Sequence, residues 1–179
     1  MISRVRFTYE DLQHFPDDNK RRELIGGEVY VTPAPNICHQ RIVANLLVLI
    51  NDFSREHPLG EVLVAPVDII FSEQDDDIAE PDLIYISKEK SSLVSKRGVE
   101  GAPDWLTEVT SPSTRNRDFT LKLKLYQKYG VRLYWILDLD AEMIHVWDEG
   151  KHRVYNKDDA IKVPLLPGLE HPVSELLML

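Results

Sequence analysis

Trp105-Leu106-Thr107-Glu108-Val109-Thr110, followed by Ser111-Pro112-Ser113-Thr114 and then by Asp118 to Gly130, is the stretch on which the fold turns. Its first part reads as a strand. Alternation places Leu106, Glu108 and Thr110 on one face and Trp105, Thr107 and Val109 on the other. A carboxylate that shares a face with a leucine is unusual for a free surface acid. The Ser-Pro-Ser-Thr run ends the strand and prepares a helix. With Phe119 at zero and about 100° per residue, Lys122 falls near 300°, Tyr126 near 340°, Tyr129 near 280° and Leu123 near 40°. On the same wheel Leu121 and Leu125 fall near 200° and 240°, and Lys124 and Lys128 take the polar side near 140° and 180°. Lys122 therefore sits in the apolar arc. A lysine aimed at a core either snorkels out or meets a carboxylate, because burying an unpaired ammonium is costly. The second reading sets Lys122 against Glu108 and Asp82.

Upstream, Ile78 to Ser87 contains Pro81-Asp82 and then Leu83-Ile84-Tyr85-Ile86, a near-continuous apolar strand of the buried kind. Carboxylates at strand ends, here Asp82 and Glu108, are hard-oxygen ligands suited to Mg²⁺ or Mn²⁺. A lysine beside them can orient or activate a water, or stabilise charge on a phosphate. Together the three point to metal-assisted phosphodiester hydrolysis. Glu61 to Phe71 is strand-like, with a break near Pro66. The acidic turn Glu73 to Asp77 lacks the spacing of a calcium loop and reads as a solvated hairpin end. Lys88 to Gly101 reads as a polar loop with a short helix.

The flanks are ordinary by comparison. Thr8 to His14 reads as a short capped helix and Pro16 to Asn19 as a turn. Arg22 to Ile25 and Glu28 to Thr32 form a hairpin across Gly26-Gly27. Asn36 caps a helix running to about Glu56, with a stripe of His39, Ile42, Val43, Leu46, Ile50 and Phe53. His39 is either a core-edge histidine bonded to backbone or a wall of the site, kept neutral by the positive end of the helix. Arg115 and Arg117 stand where they could contact phosphate, or act as solvated charges near the helix start. Gly130 stops the helix. Leu133 to Leu137 and Met143 to Trp147 form a second hairpin, Arg153 to Tyr155 an edge strand, and Leu176 to Leu179 an apolar tail.

The 179 residues suit one domain, divided into a helix and hairpin (1–35), a core (36–150) and an edge strand with tail (151–179). A single cysteine, Cys38, rules out an internal disulfide framework and implies a reducing cytoplasm. No signal peptide and no membrane span is expected. The net charge of −9 opposes non-specific DNA binding unless basic groups cluster or metal ions bridge the contact. Phosphate-cradling glycine motifs, a nucleophile-elbow serine and zinc-like histidine spacing are all missing from the sequence.

The run Gly101 to Thr114 resembles the signature of the Uma-two family, grouped with the restriction endonucleases. So do Arg117-Asp118, Lys122-Leu123, Leu125-Tyr126, Gly130-Val131 and Tyr134-Trp135. Glu23-Leu24-Ile25, Gly27-Glu28, Pro33 to His39 and Ala65-Pro66 to Asp68 fit the same pattern. The resemblance implies an α/β (α+β) fold of the PD-(D/E)XK nucleases, a mixed sheet flanked by helices. It makes Asp82 the motif aspartate, Glu108 the motif glutamate and the Val109 carbonyl a further metal ligand. Thr110 stands where that superfamily carries its lysine, and Lys122 takes over the role. Gly26 replaces a usual acid, and Glu80 a common glutamine. Glu28 is the nearest candidate for an additional acid, with His39 beside it. The implied activity is a Mg²⁺- or Mn²⁺-dependent endonuclease acting on DNA as a homodimer. Alanine at Lys122 is expected to abolish turnover and leave the fold intact. Two other readings remain: a catalytically silent nuclease fold used for binding or oligomerisation, and a hydrolase of small phosphate esters.

Overall fold

β-branched and aromatic residues crowd the strand Trp105–Val109, and all five of its residues are buried. The rest of the architecture is arranged on its two faces. The structure is a computed structural model and describes residues 5–16, 18 and 20–177. Asp17 and Asn19 of the expected turn, Met1 to Arg4, and Met178 and Leu179 of the apolar tail lie outside the described residues.

In chain order the strands are β1 (Arg21–Ile25), β2 (Glu28–Thr32), β3 (Gly60–Val64), β4 (Ile69–Ser72), β5 (Asp77–Ala79), β6 (Leu83–Ser87), β7 (Val94–Ser95) and β8 (Gly98–Glu100). They continue as β9 (Trp105–Val109), β10 (Leu133–Asp138), β11 (Met143–Asp148), β12 (Lys151–Asn156), β13 (Ala160–Lys162) and β14 (Glu170–Pro172). Helix α1 is Tyr9–Gln13 and α2 is Ile37–Glu56. A third helix, α3, spans 115–128: α-helical at Arg115–Arg117, π-helical at Asp118–Lys122 and α-helical again at Leu123–Lys128. A short α4 is Val173–Leu176, and Lys88–Leu93 is a 3₁₀ turn.

Two mixed sheets carry the fold. One has the order β12-β11-β10-β9-β6-β3, with β9 and β10 parallel. The other has the order β2-β1-β5-β4-β8-β7, with β4 and β8 parallel. The chain passes between them twice. The segments Glu61 to Phe71 and Ile78 to Ser87, each expected as one strand, are each two strands lying in different sheets. The breaks fall at Pro66 and at Glu80-Pro81-Asp82, and they meet: the Ala65 N–H donates to the Asp82 carbonyl at 3.2 Å. Proline lacks the N–H a ladder needs, so both segments leave one sheet at a proline and enter the other after it.

The alternation of β9 sorts the core. Trp105 and Val109 pack with Tyr85, Trp135, the α2 stripe and the C-terminal Ile161, Leu166 and Leu176. Leu106 packs on the opposite face with Ile84, Ile136, Leu125 and Tyr126, against Ile25 and Ile69 of the second sheet. Asn36 caps α2 by accepting the His39 N–H at 2.8 Å, which fixes the first turn and the direction of His39. Gly26 and Gly27 take φ of +57° and +77°, as their hairpin turn requires. The loop Glu73 to Asp76 is a hairpin end, but Asp77 is buried: it accepts from Lys128 and Tyr129, each at 2.8 Å, and from the Gly26 N–H. Leu125, set toward the outside of the wheel, is also buried. The widened π turn adds a residue before it and rotates the later part of α3 inward.

Candidate active site

β1 presents Arg21 and Glu23 on one face by strand alternation. β9 presents Glu108, α3 presents Asp118 and Lys122, and the start of α2 presents His39. The chain turning into β6 presents Asp82. These residues converge on one pocket of about 250 Å³, whose lining includes Arg21, His39, Asp82, Glu108, Val109, Arg117, Asp118 and Lys122. That space holds a phosphate group and its hydration but not a base as well.

Lys122 is 1% exposed and is met by carboxylates. Its Nζ lies 2.6 Å from Glu108 Oε1 and 2.7 Å from Glu23 Oε1. Snorkelling is thereby excluded. Burial works against the ammonium, but Glu108, Glu23 and Asp118 outweigh it and raise its pKa above the ordinary lysine range. Lys122 is a fixed positive charge and cannot serve as a base near neutral pH. Glu108 Oε1 also accepts from the Tyr126 hydroxyl at 2.8 Å. Burial pushes the Glu108 carboxyl up and Lys122 opposes this, with Asp82, Asp118 and Glu23 adding to the rise.

Asp82 is held from three sides. Its Oδ1 accepts from Arg21 Nη1 at 2.8 Å. Its Oδ2 accepts from the Val109 N–H at 2.8 Å and lies 3.0 Å from His39 Nε2. A carboxylate only accepts, so His39 presents Nε2–H to it. Burial disfavours the charge on Asp82, yet His39, Arg21 and the Val109 N–H together hold its pKa well below the usual carboxylate range. Val109 thus contributes its N–H to the site; its carbonyl was the group expected from the sequence.

A divalent cation fits this donor set. Two buried carboxylates of hard oxygen, Asp82 and Glu108, share the pocket, and Glu23 Oε2 is buried without a hydrogen-bond donor. Negative charge is in surplus: Glu23, Glu80, Asp82, Glu108 and Asp118 face Arg21, Arg117 and Lys122. Among the described residues no three His, Cys, Asp or Glu side chains form a ready cage. That suits a Mg²⁺-like ion, which takes one or two carboxylates and keeps its waters, rather than structural zinc.

A family model described as "Putative restriction endonuclease", Uma2, matches residues 8–174, a span that contains every pocket residue named above. The chain belongs to the Uma2 family. A crystal structure of "a putative nuclease belonging to DUF820" from Anabaena variabilis is similar in fold, with a TM-score of 0.82 over 96% of this chain and 98% of that one, at 20% identity. None of the curated proteins matches the chain. The mixed sheets flanked by helices are those expected of the nuclease fold.

Within this Uma2 chain the structure brings together Asp82, Glu108, Lys122, His39 and Arg117. It does not bring Glu28 or Arg115. Glu28 stands at the start of β2, accepts from the Tyr30 hydroxyl at 2.9 Å and is not among the pocket residues. The additional acid is Glu23. Arg115 turns to Asp138, donating to its Oδ2 at 2.9 and 2.7 Å, and covers the Phe119 ring. Arg117 donates to Thr32 Oγ1 at 2.8 Å and lies 3.6 Å from Glu23. Arg21, Glu23, Glu80 and Asp118 were not singled out as site residues from the sequence. The signal existed for Glu23: it shares a strand face with Ile25, the same pattern that marks Glu108.

The carboxyl surplus has a pH signature. Burial pushes Glu80 from 4.5 up to about 7, helped by Asp68 and Glu23 and opposed by Arg21. Because its folded pKa is the higher one, its contribution is complete below pH 4.5 and is lost as pH rises through about 7. That loss is on the order of 3 kcal/mol. Glu108 and Asp118 shift in the same direction. Asp82, shifted down, contributes the opposite slope, but only below its ordinary range. In a chelator the melting temperature is expected to fall from pH 5 to pH 7.5, and Glu80→Gln to flatten that slope. A flat wild-type profile would contradict the assignment.

Proposed function

We propose that this Uma2 chain is a metal-dependent endonuclease that hydrolyses DNA phosphodiester bonds, with Asp82 and Glu108 as the carboxylates for Mg²⁺ or Mn²⁺. The observation that carries the reading is a buried lysine clamped between Glu108 and Glu23 in the pocket that also holds Asp82. A core-packing role would not require an ammonium there, since an apolar side chain fills such space at lower cost.

The chain's own residues divide the work. Asp82 is kept ionised by His39 and the Val109 N–H, so its carboxylate is ready at neutral pH. Lys122 orients Glu108 and, as a permanent cation, offsets negative charge that grows on the phosphoryl oxygens in the transition state. Tyr126 fixes Glu108 from behind the pocket. Arg117, at the pocket wall and tied to Thr32, is placed to receive a neighbouring phosphate. Arg115 is committed to Asp138 and is not assigned that role. The bound ion would supply a water of lowered pKa and polarise the phosphoryl group. An acidic protein of this kind meets DNA through such ions rather than through a basic face. Action as a homodimer on duplex DNA, in the cytoplasm, belongs to the same proposal. Among the described residues no helix is long and apolar enough to cross a membrane.

Plasmid nicking and linearisation in Mg²⁺, in Mn²⁺ and in chelator test this directly, with Glu108→Gln in parallel. Wild type is expected to cleave only with metal, and Glu108→Gln to cleave at least about a hundredfold more slowly, since a ligand and its charge are lost. Equal cleavage by the two would remove Glu108 from the site. No cleavage of plasmid, with turnover of a small phosphodiester, would move the substrate to small phosphate esters.

A further inference from the structure

We propose that Arg21 is a built-in counter-cation that holds Asp82 in the metal-free protein and releases it to an incoming divalent ion. The inference rests on the reading that this pocket takes such an ion. The two oxygens of Asp82 have different surroundings. Oδ2 is bound to the scaffold, through the Val109 N–H and His39. Oδ1 meets only the guanidinium, at 2.8 Å from Arg21 Nη1. A divalent ion that uses Asp82 therefore competes with Arg21 for Oδ1 while the scaffold contacts stay in place.

Arg21 suits this exchange chemically. A guanidinium is charged at every working pH, so it cannot vacate the site by losing a proton and must move. It also has a second anchor. Arg21 Nε lies 2.7 Å from Glu80 Oε1, and Nη2 donates to the Glu80 carbonyl. Glu80 is not part of the pocket lining; its side chain faces a separate groove beside Pro66, Asp68 and Arg97. When Oδ1 is released, Glu80 retains the guanidinium on the far side. Without Arg21 the metal-free protein would leave Asp82 buried with less of its charge compensated, which is costly. The arginine thus keeps the empty pocket stable and at the same time lowers its affinity for the ion.

Calorimetric titration of Mn²⁺ into the full chain tests this without any cleavage assay, using wild type, Arg21→Met, Arg21→Lys and Glu108→Gln. Removing one positive charge a few ångströms from the ligands is expected to tighten Mn²⁺ binding by about tenfold or more. Arg21→Lys, which keeps the charge, should stay within about threefold of wild type. The rise in melting temperature on adding Mn²⁺ should be larger for Arg21→Met than for wild type. If Arg21→Met fails to fold, Arg21→Gln keeps an amide donor for Asp82 and carries the same expectation. Equal or weaker binding in the neutral variants, with wild type binding Mn²⁺, would overturn the role of Arg21 and leave the metal reading standing. No Mn²⁺ heat in wild type or in any Arg21 variant would overturn the metal reading itself.

Discussion

Lys122→Ala is expected to destabilise the protein by about 3–5 kcal/mol, in addition to removing its activity. The sequence alone suggested a variant inactive but intact in fold. Burial overturns that expectation. With Nζ gone, Glu23 and Glu108 lose their shared cation, Asp118 loses its neighbouring charge, and the side chain leaves a void in a fully packed place. Deleting one partner of a buried ion pair costs far more than the pair contributes net, because the remaining charge stays buried. That mechanism predicts its own rescue. Lys122→Met combined with Glu23→Gln restores volume and removes one stranded charge, so it should recover about half of the loss measured for Lys122→Met alone. Denaturant unfolding checks both values. A loss below about 1 kcal/mol for Lys122→Ala would show that the lysine is not carrying the charge of its neighbours.

The same residue shows why part of the site was readable in the sequence. Lys122 needed only helical spacing, and its inward direction survives the π turn because that turn begins at Asp118, close before it. His39 needed only the Asn36 cap and the α2 stripe. Asp82 and Glu108 needed strand-end placement. By contrast, Leu125 was set outside because a regular wheel cannot anticipate an inserted residue. Glu23 was passed over for Glu28 because β1 was read as half of a surface hairpin. In the structure β1 pairs with β5 at Leu24–Ile78 and lies inside a sheet. That pairing depends on the chain changing sheets at Glu80-Pro81-Asp82, a tertiary event with no local signature beyond the proline. Arg21 and Glu80 were hidden for the same reason: their partners lie some sixty residues away in the chain, brought together only by that crossing.

Asp82→Ala should be the other severe substitution, at about 3–5 kcal/mol, although it removes fewer atoms than Lys122→Ala. Three donors lose their acceptor at once: Arg21 Nη1, the His39 Nε2–H and the Val109 N–H, and Val109 is itself nearly fully buried. Asp82→Asn is expected to cost about half as much. Its carbonyl can serve one side, while its amide must face a donor on the other. Coupling then identifies which donor matters. In a double-mutant cycle, Asp82→Asn and Arg21→Gln should show an interaction of about 1–3 kcal/mol, because the second change removes the charge that the first left exposed. Additive losses would mean that Glu80 alone holds Arg21. Both Asp82 variants should also lose Mn²⁺ heat, whereas Arg21→Gln should gain it. Opposite signs on cation affinity with the same sign on stability are not produced by general loosening of the fold, and they separate a carboxylate that binds the ion from the arginine that competes with it.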